Sequence, residues 1–572
     1  MCGILLIVSK KKLHKDNCLK AESFIKSRGP DFLNNSFFLK DKIFLSNSIL
    51  SITGQKKNKD KLIKSKNGEY ILSFNGEIYN WKDLLKKYQL VECKNDSELL
   101  VNMFESLNPS KISKSINGMF AYCVYDKSKN TIHFASDPQG EKKLFIYKSK
   151  SLIIISSTIN SILSYIKKDI LDTELIKNYF YSRHMIYYEN TIFKNIKVVD
   201  PGFNYNFDIK KFAIKKNRFD NPLNWISEKK YLKNKKKKFT HIYFNILSTL
   251  QKQIKLMIPK TRFACVLSGG IDSSVQTALI SKIKKPNSIG GLVHKNKDKV
   301  ADTINKFNKF LPKNITKIKV DKNNYLLNFL KSFKVFASPF LTHSFVGSYQ
   351  ISKYFKLKRN KVFFVADGVD ELLGGYELYR KIKWKSGQNC SPYTNLNINC
   401  KLKRKIDRFW SSAFKRYYKF LNKKDASIEA SLFTDYFIQS VYVANIGTDI
   451  MCSNNGIEPR NVFIQKDVIK EFLNLPLKYK INFRVNKKKL LLKYILKKIF
   501  INYYSEKLVS PKKQGFSGFP NNSKSILKDK EFSHLKRIID IKKYSKNYKN
   551  EWKFLNLEFF LSTYKKNILN FF

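Results

Sequence analysis

The sequence lacks three patterns that would point to particular classes of protein. Its 8 cysteines include no CxxC pair and do not cluster with the 7 histidines, so neither a zinc site nor a disulfide framework is expected. No apolar run approaches the ~18 residues of a membrane span. The apolar run at residues 4–8 is too short for a secretory signal. We therefore expect a cytoplasmic protein without a membrane partner.

Acidic residues are also scarce. The chain has 45 Asp and Glu against 109 Lys and Arg, which gives a formal net charge of +64. The lysines are spread along the whole chain among Asn and Ile, and these three residues share A/T-rich codons, so we interpret the charge as a solvated surface shaped by base composition. No specific nucleic-acid partner is expected. A polyanion-binding protein is the alternative from a different class, because such a surface attracts polyanions at low salt.

The apolar content is high enough for several folded domains. Hydrophobic residues make up 43% of the 572 positions and aromatic residues 14%. Short apolar or alternating runs in the first third predict the strands of an α+β domain over residues 2–207. The charged stretch 208–238 has no sustained apolar period and is predicted to be a linker. A second domain is expected over residues 239–572.

The second domain reads as alternating strands and helices. Residues 263–267 predict a strand, residues 268–270 a tight loop and residues 273–283 an amphipathic helix. Further strands are predicted at residues 289–293, 315–320 and 362–366, and the chain after residue 378 is predicted to be mostly helical. This order is typical of an α/β doubly wound parallel sheet followed by a helical C-terminal part.

The tight loop carries the first chemical signal. Its sequence is Ser268-Gly269-Gly270-Ile271-Asp272-Ser273-Ser274, between a strand and the start of a helix. Backbone N–H groups in such a loop, together with the helix N-terminus, bind phosphate groups. Asp272 is out of place in a bare anion site but is expected if Mg²⁺ accompanies the phosphates. The loop is not the GxxxxGK[ST] type that grips β- and γ-phosphates.

This loop resembles the SGGxDSS pyrophosphate loop of the ATP pyrophosphatases, which cleave ATP between the α- and β-phosphates. Residues 365–376 are similar to the SG[ED]GxDExxGGY segment of the asparagine synthetases, with Val365-Ala366 in place of Ser-Gly. The resemblance continues at residues 458–463 (E.R.PF), 493–497 (KHILR) and 513–517 (K.GF.). It implies that the second domain adenylates a carboxylate at the expense of ATP.

The resemblance also implies residue roles in this domain. Asp367 matches the acid held responsible for intermediate formation or ammonia deprotonation, and Lys493 matches the lysine that faces pyrophosphate. Asp272 and Asp370 are the implied Mg²⁺ ligands. Val365-Ala366 is expected to crowd the nucleotide. The implied ATP and pyrophosphate site consists of Leu267, Ser268, Gly269, Gly270, Asp272, Ser273, Ser274, Gly291, Val365, Ala366 and Lys493.

Cys2 carries the second chemical signal. It directly follows the initiator Met, and its small side chain permits removal of that Met, which leaves Cys2 with a free α-amine. An α-amine has a pKa of ~7.7–8.0, so near neutrality it can serve, through water, as base for the thiol. Nucleophile and base then come from one residue.

The first domain resembles the class II, N-terminal-nucleophile glutamine amidotransferases. The matching motifs follow in that family's order: Met1-Cys2-Gly3-Ile4, Arg28-Gly29-Pro30-Asp31, Phe74-Asn75-Gly76-Glu77-Ile78-Tyr79-Asn80, Asn95-Asp96-Ser97-Glu98 and Ser136-Asp137-Pro138-Gln139-Gly140-Glu141. The resemblance implies a catalytic Cys2 and an oxyanion hole of Asn75 and the Gly76 N–H. Glu77 and Asp96 would hold the amide and amino groups of glutamine. The implied glutamine site consists of Leu50, Ser51, Ile52, Asn75, Gly76, Glu77 and Asp96.

Position 49 departs from this family. Residues 47–52 align with the family string H.RLSI, whose Arg grips the α-carboxylate of glutamine, but this chain has Ile49 there. An apolar side chain replaces a bidentate charged contact. We therefore expect weakened use of glutamine unless another cation, such as Arg28 or a nearby lysine, has taken over the role.

Taken together, the motifs identify the sequence as a member of the glutamine-hydrolysing asparagine synthetase family. The implied fold is an N-terminal-nucleophile amidotransferase sandwich followed by the parallel-sheet ATP-pyrophosphatase domain. The implied substrates are glutamine, aspartate and ATP with Mg²⁺, and a homodimer is a further expectation. Two alternatives within this architecture stay open: amidation of another carboxylate, such as a sugar uronic acid, and a relative with impaired glutaminase that uses free ammonia.

Overall fold

The protein is described by a computed structural model that covers residues 2–53, 62–90, 92–167, 169–181, 185–186, 188–293, 299–320, 322–342, 344–376, 379, 386–389, 400–484, 491–509 and 551–570. The strands of these ranges are β1 (Gly3–Ser9), β2 (Phe32–Phe38), β3 (Ile43–Ile49), β4 (Ile63–Lys64), β5 (Tyr70–Ile78), β6 (Gly118–Asp126), β7 (Thr131–Ser136), β8 (Phe145–Lys148), β9 (Leu152–Ser156), β10 (Ile196–Val198), β11 (Phe203–Asp208), β12 (Ala213–Arg218), β13 (Phe263–Val266), β14 (Ser288–Val293), β15 (Ile315–Lys319), β16 (Val362–Val365) and β17 (Glu458–Asn461).

Helices surround three sheets. The α-helices are Lys15–Lys26, Trp81–Tyr88, Asp96–Ser106, Pro109–Ser115, Ile159–Ile166, Thr173–Tyr181, Glu228–Lys236, Phe239–Met257, Ile271–Ile283, Lys299–Phe307, Lys322–Phe336, Ser344–Leu357, Val369–Leu373, Cys400–Tyr418, Lys423–Asp435, Asn445–Ser453, Lys466–Leu473, Leu477–Lys480, Tyr494–Tyr503 and Glu551–Asn570. Short 3-10 turns lie at Pro222–Trp225, Asn308–Phe310 and Glu506–Leu508, and Tyr436–Ala444 forms a π-helical stretch. None of the described helices is both long enough and apolar enough to cross a membrane.

The first domain is a sandwich of two antiparallel sheets between helical layers. The sheet orders are β10-β8-β9-β1-β3-β2 and β12-β11-β7-β6-β5-β4. Alternation along β1 explains the layers: Ile4, Leu6 and Val8 face the second sheet in one core, while Leu5 and Ile7 pack in another core with residues of the helix Lys15–Lys26. Because a β-strand turns successive side chains to opposite faces, a strand between a sheet and a helix is apolar throughout.

The second domain is built on a parallel sheet in the order β15-β14-β13-β16-β17. Helices cover both faces, as a parallel sheet requires. The fold class predicted from the sequence is confirmed, including the mostly helical part after β16.

Two features differ from the sequence expectations. The stretch 208–238, predicted as a linker, contains β12, which pairs with β11 in the first domain's second sheet, and the helix Glu228–Lys236. All residues of β12 except Ile214 are exposed, which fits an edge strand, and an edge strand needs no apolar period. The strand β17 was not predicted, because Glu458-Pro459-Arg460-Asn461 has no β-type apolar pattern. The exact division into domains stays a prediction.

Candidate active sites

The Cys2 site lies where the two sheets of the sandwich meet. Cys2 immediately precedes β1 of one sheet, and Asn75 lies in β5 of the other. The backbone N–H of Cys2 donates to Asn75 Oδ1 at 2.9 Å. Asn75 is fully buried, and its Nδ2 has no hydrogen-bond partner among the described residues. The sequence-predicted oxyanion donor is thus held beside the predicted nucleophile with its N–H groups unused.

The environment of the Cys2 thiol is largely buried. Burial raises the pKa of this thiol, and a hydrogen bond from the backbone N–H of Leu50 partly offsets the effect. The Cys2 carbonyl accepts a hydrogen bond from Arg28 Nε at 3.1 Å. A thiol with a raised pKa needs a base at neutral pH, which is what a free α-amine on the same residue would provide.

Glu77 and Asp96 form the acidic part of this site. Asp96 begins the helix Asp96–Ser106, and its Oδ2 accepts a hydrogen bond from the Ile78 N–H at 3.0 Å. Burial raises the pKa of Glu77, while the nearby Arg460 guanidinium lowers it. Burial also raises the pKa of Asp96, against the hydrogen bond from Ile78. The two buried carboxylates can accept hydrogen bonds from a substrate ammonium and amide.

The second domain contributes residues to the same site, and sequence reasoning assigned them no role. Arg460 of β17 is 1% exposed, its Nη2 lies 3.0 Å from Glu77 Oε2, and its Nε lies 2.8 Å from Glu458 Oε1. The only sequence signal was the match of residues 458–463 to the E.R.PF string. The contact joins residues 383 positions apart, so no local pattern could reveal it.

The segment 49–52 lies at the edge of the site. Ile49 ends β3, is half-buried and pairs with Phe32 of β2, so it supplies no charge. The Ser51 N–H donates to Asp31 Oδ2 at 2.9 Å. Lys361 of the second domain reaches the same two residues, with its Nζ 2.7 Å from Asp31 Oδ2 and 2.8 Å from Ser51 O. Leu50 and Ile52 are buried.

The predicted phosphate loop lies at the carboxyl end of β13. Gly269 has φ +78°, a left-handed conformation that favours glycine, and Gly270 caps the helix Ile271–Ile283. Ser268 N–H donates to Ser273 Oγ at 3.1 Å, and Ser274 Oγ donates to Gly270 O at 2.8 Å. The N–H of Leu267 donates to Gly290 O, which places it beside Gly291 of β14. The loop therefore presents backbone donors at a helix N-terminus.

Asp272, Asp370 and Lys493 converge next to this loop. Lys493 Nζ lies 2.7 Å from Asp272 Oδ2 and 2.8 Å from Asp370 Oδ1, and the Lys493 side chain is 8% exposed. Burial would lower the pKa of Lys493, but the two carboxylates raise it above its usual range. Gly375 makes room for the cluster, because a Cβ there would lie 2.0 Å from Asp370 Oδ1.

These residues fit a Mg²⁺ site shared with phosphates. Two hard carboxylate oxygens already hold one cationic group, the Lys493 ammonium, between them. Mg²⁺ is usually held by one or two carboxylates together with substrate phosphates, not by a full protein cage. The described residues include no group of three or more His, Cys, Asp or Glu that could hold a metal ion by themselves.

Asp367 lies at the carboxyl end of β16, beside a small cavity between the two domains. Thr448 Oγ1 donates to Asp367 Oδ2 at 3.3 Å, and Asn461 Nδ2 donates to Asp367 O at 2.9 Å. The cavity leaves about 20 Å³ for the centre of a water-sized molecule, enough for one. Its wall includes Val365 and Asp367 from the second domain and Glu141 and Lys142 from the first.

Val365 and Ala366 are half-buried. Val365 pairs with Asn461 of β17 and packs, with Ala366, against the hydrophobic cores. The motif at residues 513–517 lies outside the described residues.

A buried interface joins the two domains between the sites. Arg28 Nη2 lies 2.8 Å from Asp449 Oδ2, and both side chains are 1% exposed. Gln465 Nε2 donates to Glu141 Oε1 at 2.7 Å. On one side Arg28 contacts the Cys2 carbonyl, and on the other Thr448, next to Asp449, contacts Asp367. The Cys2 site and the Asp367 cavity therefore share one packed wall.

Sequence comparisons agree with this two-domain arrangement. A protein-family model described as a glutamine amidotransferase domain matches residues 1–219, and a second family model, described as asparagine synthase, matches residues 245–567. A putative glutamine-hydrolysing asparagine synthetase 2 of Methanocaldococcus jannaschii is 26% identical over 408 residues, which cover 66% of this chain and 76% of that relative.

Two further relatives are glutamine-hydrolysing asparagine synthetases. The enzyme numbered 1 of Bacillus subtilis is 24% identical over 67% of this chain and 60% of its own length. The enzyme numbered 1 of Saccharomyces cerevisiae is 26% identical over 49% of this chain and 44% of its own length, so the match spans less than two thirds of both. A solved structure of glutamine phosphoribosylpyrophosphate amidotransferase from B. subtilis, complexed with ADP and GMP, aligns with a TM-score of 0.29 and 13% identity over 46% of this chain and 60% of that chain.

The sandwich with its amidotransferase match and the parallel sheet with its synthase match define an amidotransferase ligase. The asparagine synthase model alone covers more than half of the sequence. The chain belongs to the asparagine synthase family, whose members use ATP.

Proposed function

We propose that this protein transfers the amide nitrogen of glutamine to the side-chain carboxylate of aspartate at the expense of ATP. The observation that carries the proposal is the presence of two complementary sites in one chain: an unpartnered amide donor beside Cys2, and two carboxylates with a lysine beside a phosphate-type loop. The family relationship supports glutamine-dependent amidation in general. The choice of aspartate as the acceptor and the route through an acyl-adenylate go beyond that relationship and are proposed here.

In the first half-reaction, the Cys2 thiol attacks the amide carbon of glutamine. The α-amine of Cys2, free once Met1 is removed, takes the thiol proton. Asn75 Nδ2 and the Gly76 N–H stabilise the tetrahedral oxyanion, because neutral donors fixed in a buried site need no rearrangement. The carbon–nitrogen bond breaks, ammonia leaves with the proton, and water hydrolyses the acyl-enzyme to glutamate.

In the second half-reaction, the phosphates of ATP bind the loop 268–274. An oxygen of the acceptor carboxylate attacks the α-phosphorus and pyrophosphate leaves, with Lys493 neutralising its charge. Asp272 and Asp370 would hold Mg²⁺, which would offset phosphate charge when bound. Ammonia then attacks the acyl carbon of the adenylate, Asp367 accepts a proton from the nitrogen, and AMP leaves.

Ammonia passes between the sites inside the protein. The supporting observation is the cavity at Asp367, which has room for one molecule of the size of water or ammonia and is lined by both domains. A cytoplasmic location and a homodimer stay predictions.

The test is product analysis of the full chain with ATP, Mg²⁺ and glutamine labelled with ¹⁵N in the side-chain amide. Aspartate should give labelled asparagine, AMP and pyrophosphate in equal amounts, and no turnover should occur without Mg²⁺. ADP and phosphate as products would overturn the adenylate route. Labelled amide formed from a hexuronic acid, and none from aspartate, would overturn the acceptor and leave the amidotransferase class intact.

A further inference from the structure

A glutamine molecule at Cys2 carries an α-carboxylate that needs a positively charged partner, and Ile49 cannot supply one. Three other cations contact the residues around Cys2. Arg28 and Arg460 are two of them, and each is 1% exposed. Arg28 pairs with Asp449, which also lies 3.7 Å from Lys142, and Arg28 Nη1 has no hydrogen-bond partner among the described residues. Arg460 pairs with Glu77 and Glu458. Both guanidinium groups are buried in the domain interface.

Lys361 is the third cation, and its surroundings differ. It lies just before β16 in the second domain and reaches across the interface to Asp31 and to the carbonyl of Ser51. Its side chain is 27% exposed and that of Asp31 is 29% exposed, so a dissolved substrate can approach the pair. A lysine ammonium has three N–H donors. The described residues take two of them, which leaves the third for a substrate oxygen.

The charge around Lys361 is positive on balance. Burial alone would raise the pKa of Asp31, but the hydrogen bonds from Lys361 and the Ser51 N–H, together with the charge of Lys356, hold it below its usual value. Asp31 therefore stays ionised and carries one negative charge between two lysines. A substrate carboxylate next to Lys361 meets a net attraction in spite of Asp31.

Lys361 also lies close to position 49. The Asp31 N–H donates to the Ile49 carbonyl at 3.1 Å, and Lys361 Nζ contacts both Asp31 and the carbonyl of Ser51, two residues after Ile49. Two residues of extended chain span at most ~7 Å. The Lys361 ammonium therefore lies beside the segment that carries Ile49.

We propose that Lys361, a residue of the parallel-sheet domain, binds the α-carboxylate of glutamine in the amidotransferase site, in place of an arginine at position 49. This assignment rests on the proposed glutaminase activity of Cys2. It makes glutamine recognition a property of the docked pair of domains, because the nucleophile and the carboxylate partner come from different ones.

The test compares glutamine with its α-carboxamide, in which the negative carboxylate is replaced by a neutral group. Hydrolysis of both by the full chain is measured for the natural protein, for Lys361→Met and for a matched control, Lys358→Met. Lys358 lies three residues away, and its side chain contacts the Tyr354 ring. Lys361→Met should lower kcat/KM for glutamine by about 10- to 100-fold. It should leave the α-carboxamide unchanged, and Lys358→Met should change neither.

A second variant separates substrate binding from a purely structural role of the Lys361 to Asp31 pair. Adding Ile49→Arg to Lys361→Met should restore the preference for glutamine over its α-carboxamide. The assignment would be overturned if Lys361→Met lowered kcat/KM for glutamine and for its α-carboxamide to the same extent and Ile49→Arg did not restore the preference for glutamine. It would also be overturned if Lys361→Met left that preference unchanged. If the natural protein hydrolyses neither substrate, the proposed amidotransferase function fails, and the role of Lys361 fails with it.

Discussion

The Asn75 Nδ2 donor, which has no partner among the described residues, leads to a specific prediction about the rate of glutamine hydrolysis. Asn75→Asp keeps an oxygen that can accept from the Cys2 N–H and removes the Nδ2 donor, while Asn75→Ala removes both. Losing one oxyanion donor lowers kcat by about 10²- to 10³-fold, or ~2.7–4 kcal/mol. Losing the bond to Cys2 as well should add ~0.5–1.5 kcal/mol in the alanine variant. Both variants should therefore hydrolyse glutamine at least a hundredfold more slowly, with Asn75→Ala no faster than Asn75→Asp.

The assay measures glutamate release and, in parallel, amide synthesis from ammonium chloride. Because Nδ2 has no partner among the described residues, its removal breaks no hydrogen bond that this part of the chain makes. Under the proposed function, synthesis from ammonia uses the other domain, so its rate should stay within about twofold of the natural rate, which would also show that the variants are folded. If Asn75→Asp retains glutamine hydrolysis within about tenfold, Nδ2 does not contact the oxyanion and the assignment is refuted.

The remaining predictions concern the nucleophile, the metal site and pH. Cys2→Ala should abolish synthesis driven by glutamine and spare synthesis driven by ammonia; persistent glutamine-driven turnover would exclude Cys2 as nucleophile. Asp272→Asn should lower ATP turnover by at least ~10²-fold and leave glutamine hydrolysis intact. Pyrophosphate release measures the first activity and glutamate release the second. A parallel loss of both activities in a folded variant would contradict separate sites. Because burial raises the pKa of Asp96, KM for glutamine should rise as pH falls through that raised range, when this carboxylate becomes neutral and loses its attraction for the substrate ammonium. Asp96→Asn should flatten this pH profile, and an unaltered profile in that variant would exclude Asp96 as the titrating group.

Sequence patterns were sufficient to predict a segment's structure where the surroundings of that segment determine its own residue types. Residues 4–8 are apolar throughout because β1 is covered on both faces, and the Ser/Gly string at 268–274 must follow a strand and open a helix to present its N–H groups. Both were predicted from the sequence alone. The strand β17 was not, because its four residues are buried by contacts with other parts of the chain and not by an apolar pattern of their own.

The same limit applies to the sites. The motifs named Cys2, Asn75 and Asp96, but the pairing of Arg460 with Glu77 and of Lys361 with Asp31 depends on how the two domains dock. In a chain with 109 lysines and arginines, no sequence feature distinguishes Lys361 from its neighbours. Its position before β16, opposite the 49–52 segment, becomes informative only in three dimensions.

The ion pairs of the interface constrain the order in which parts of this protein can fold during synthesis. Arg28 is paired with Asp449, which lies 421 positions later, and Glu77 with Arg460, 383 positions later. At ~5–20 residues per second, a ribosome takes about 20 to 80 s to cover the longer interval. During that time the nascent first domain carries a guanidinium and a carboxylate that must stay hydrated, since neither can be buried without its partner. The pocket around Cys2 is therefore expected to be among the last parts of the molecule to close, although Cys2 itself belongs to the first domain.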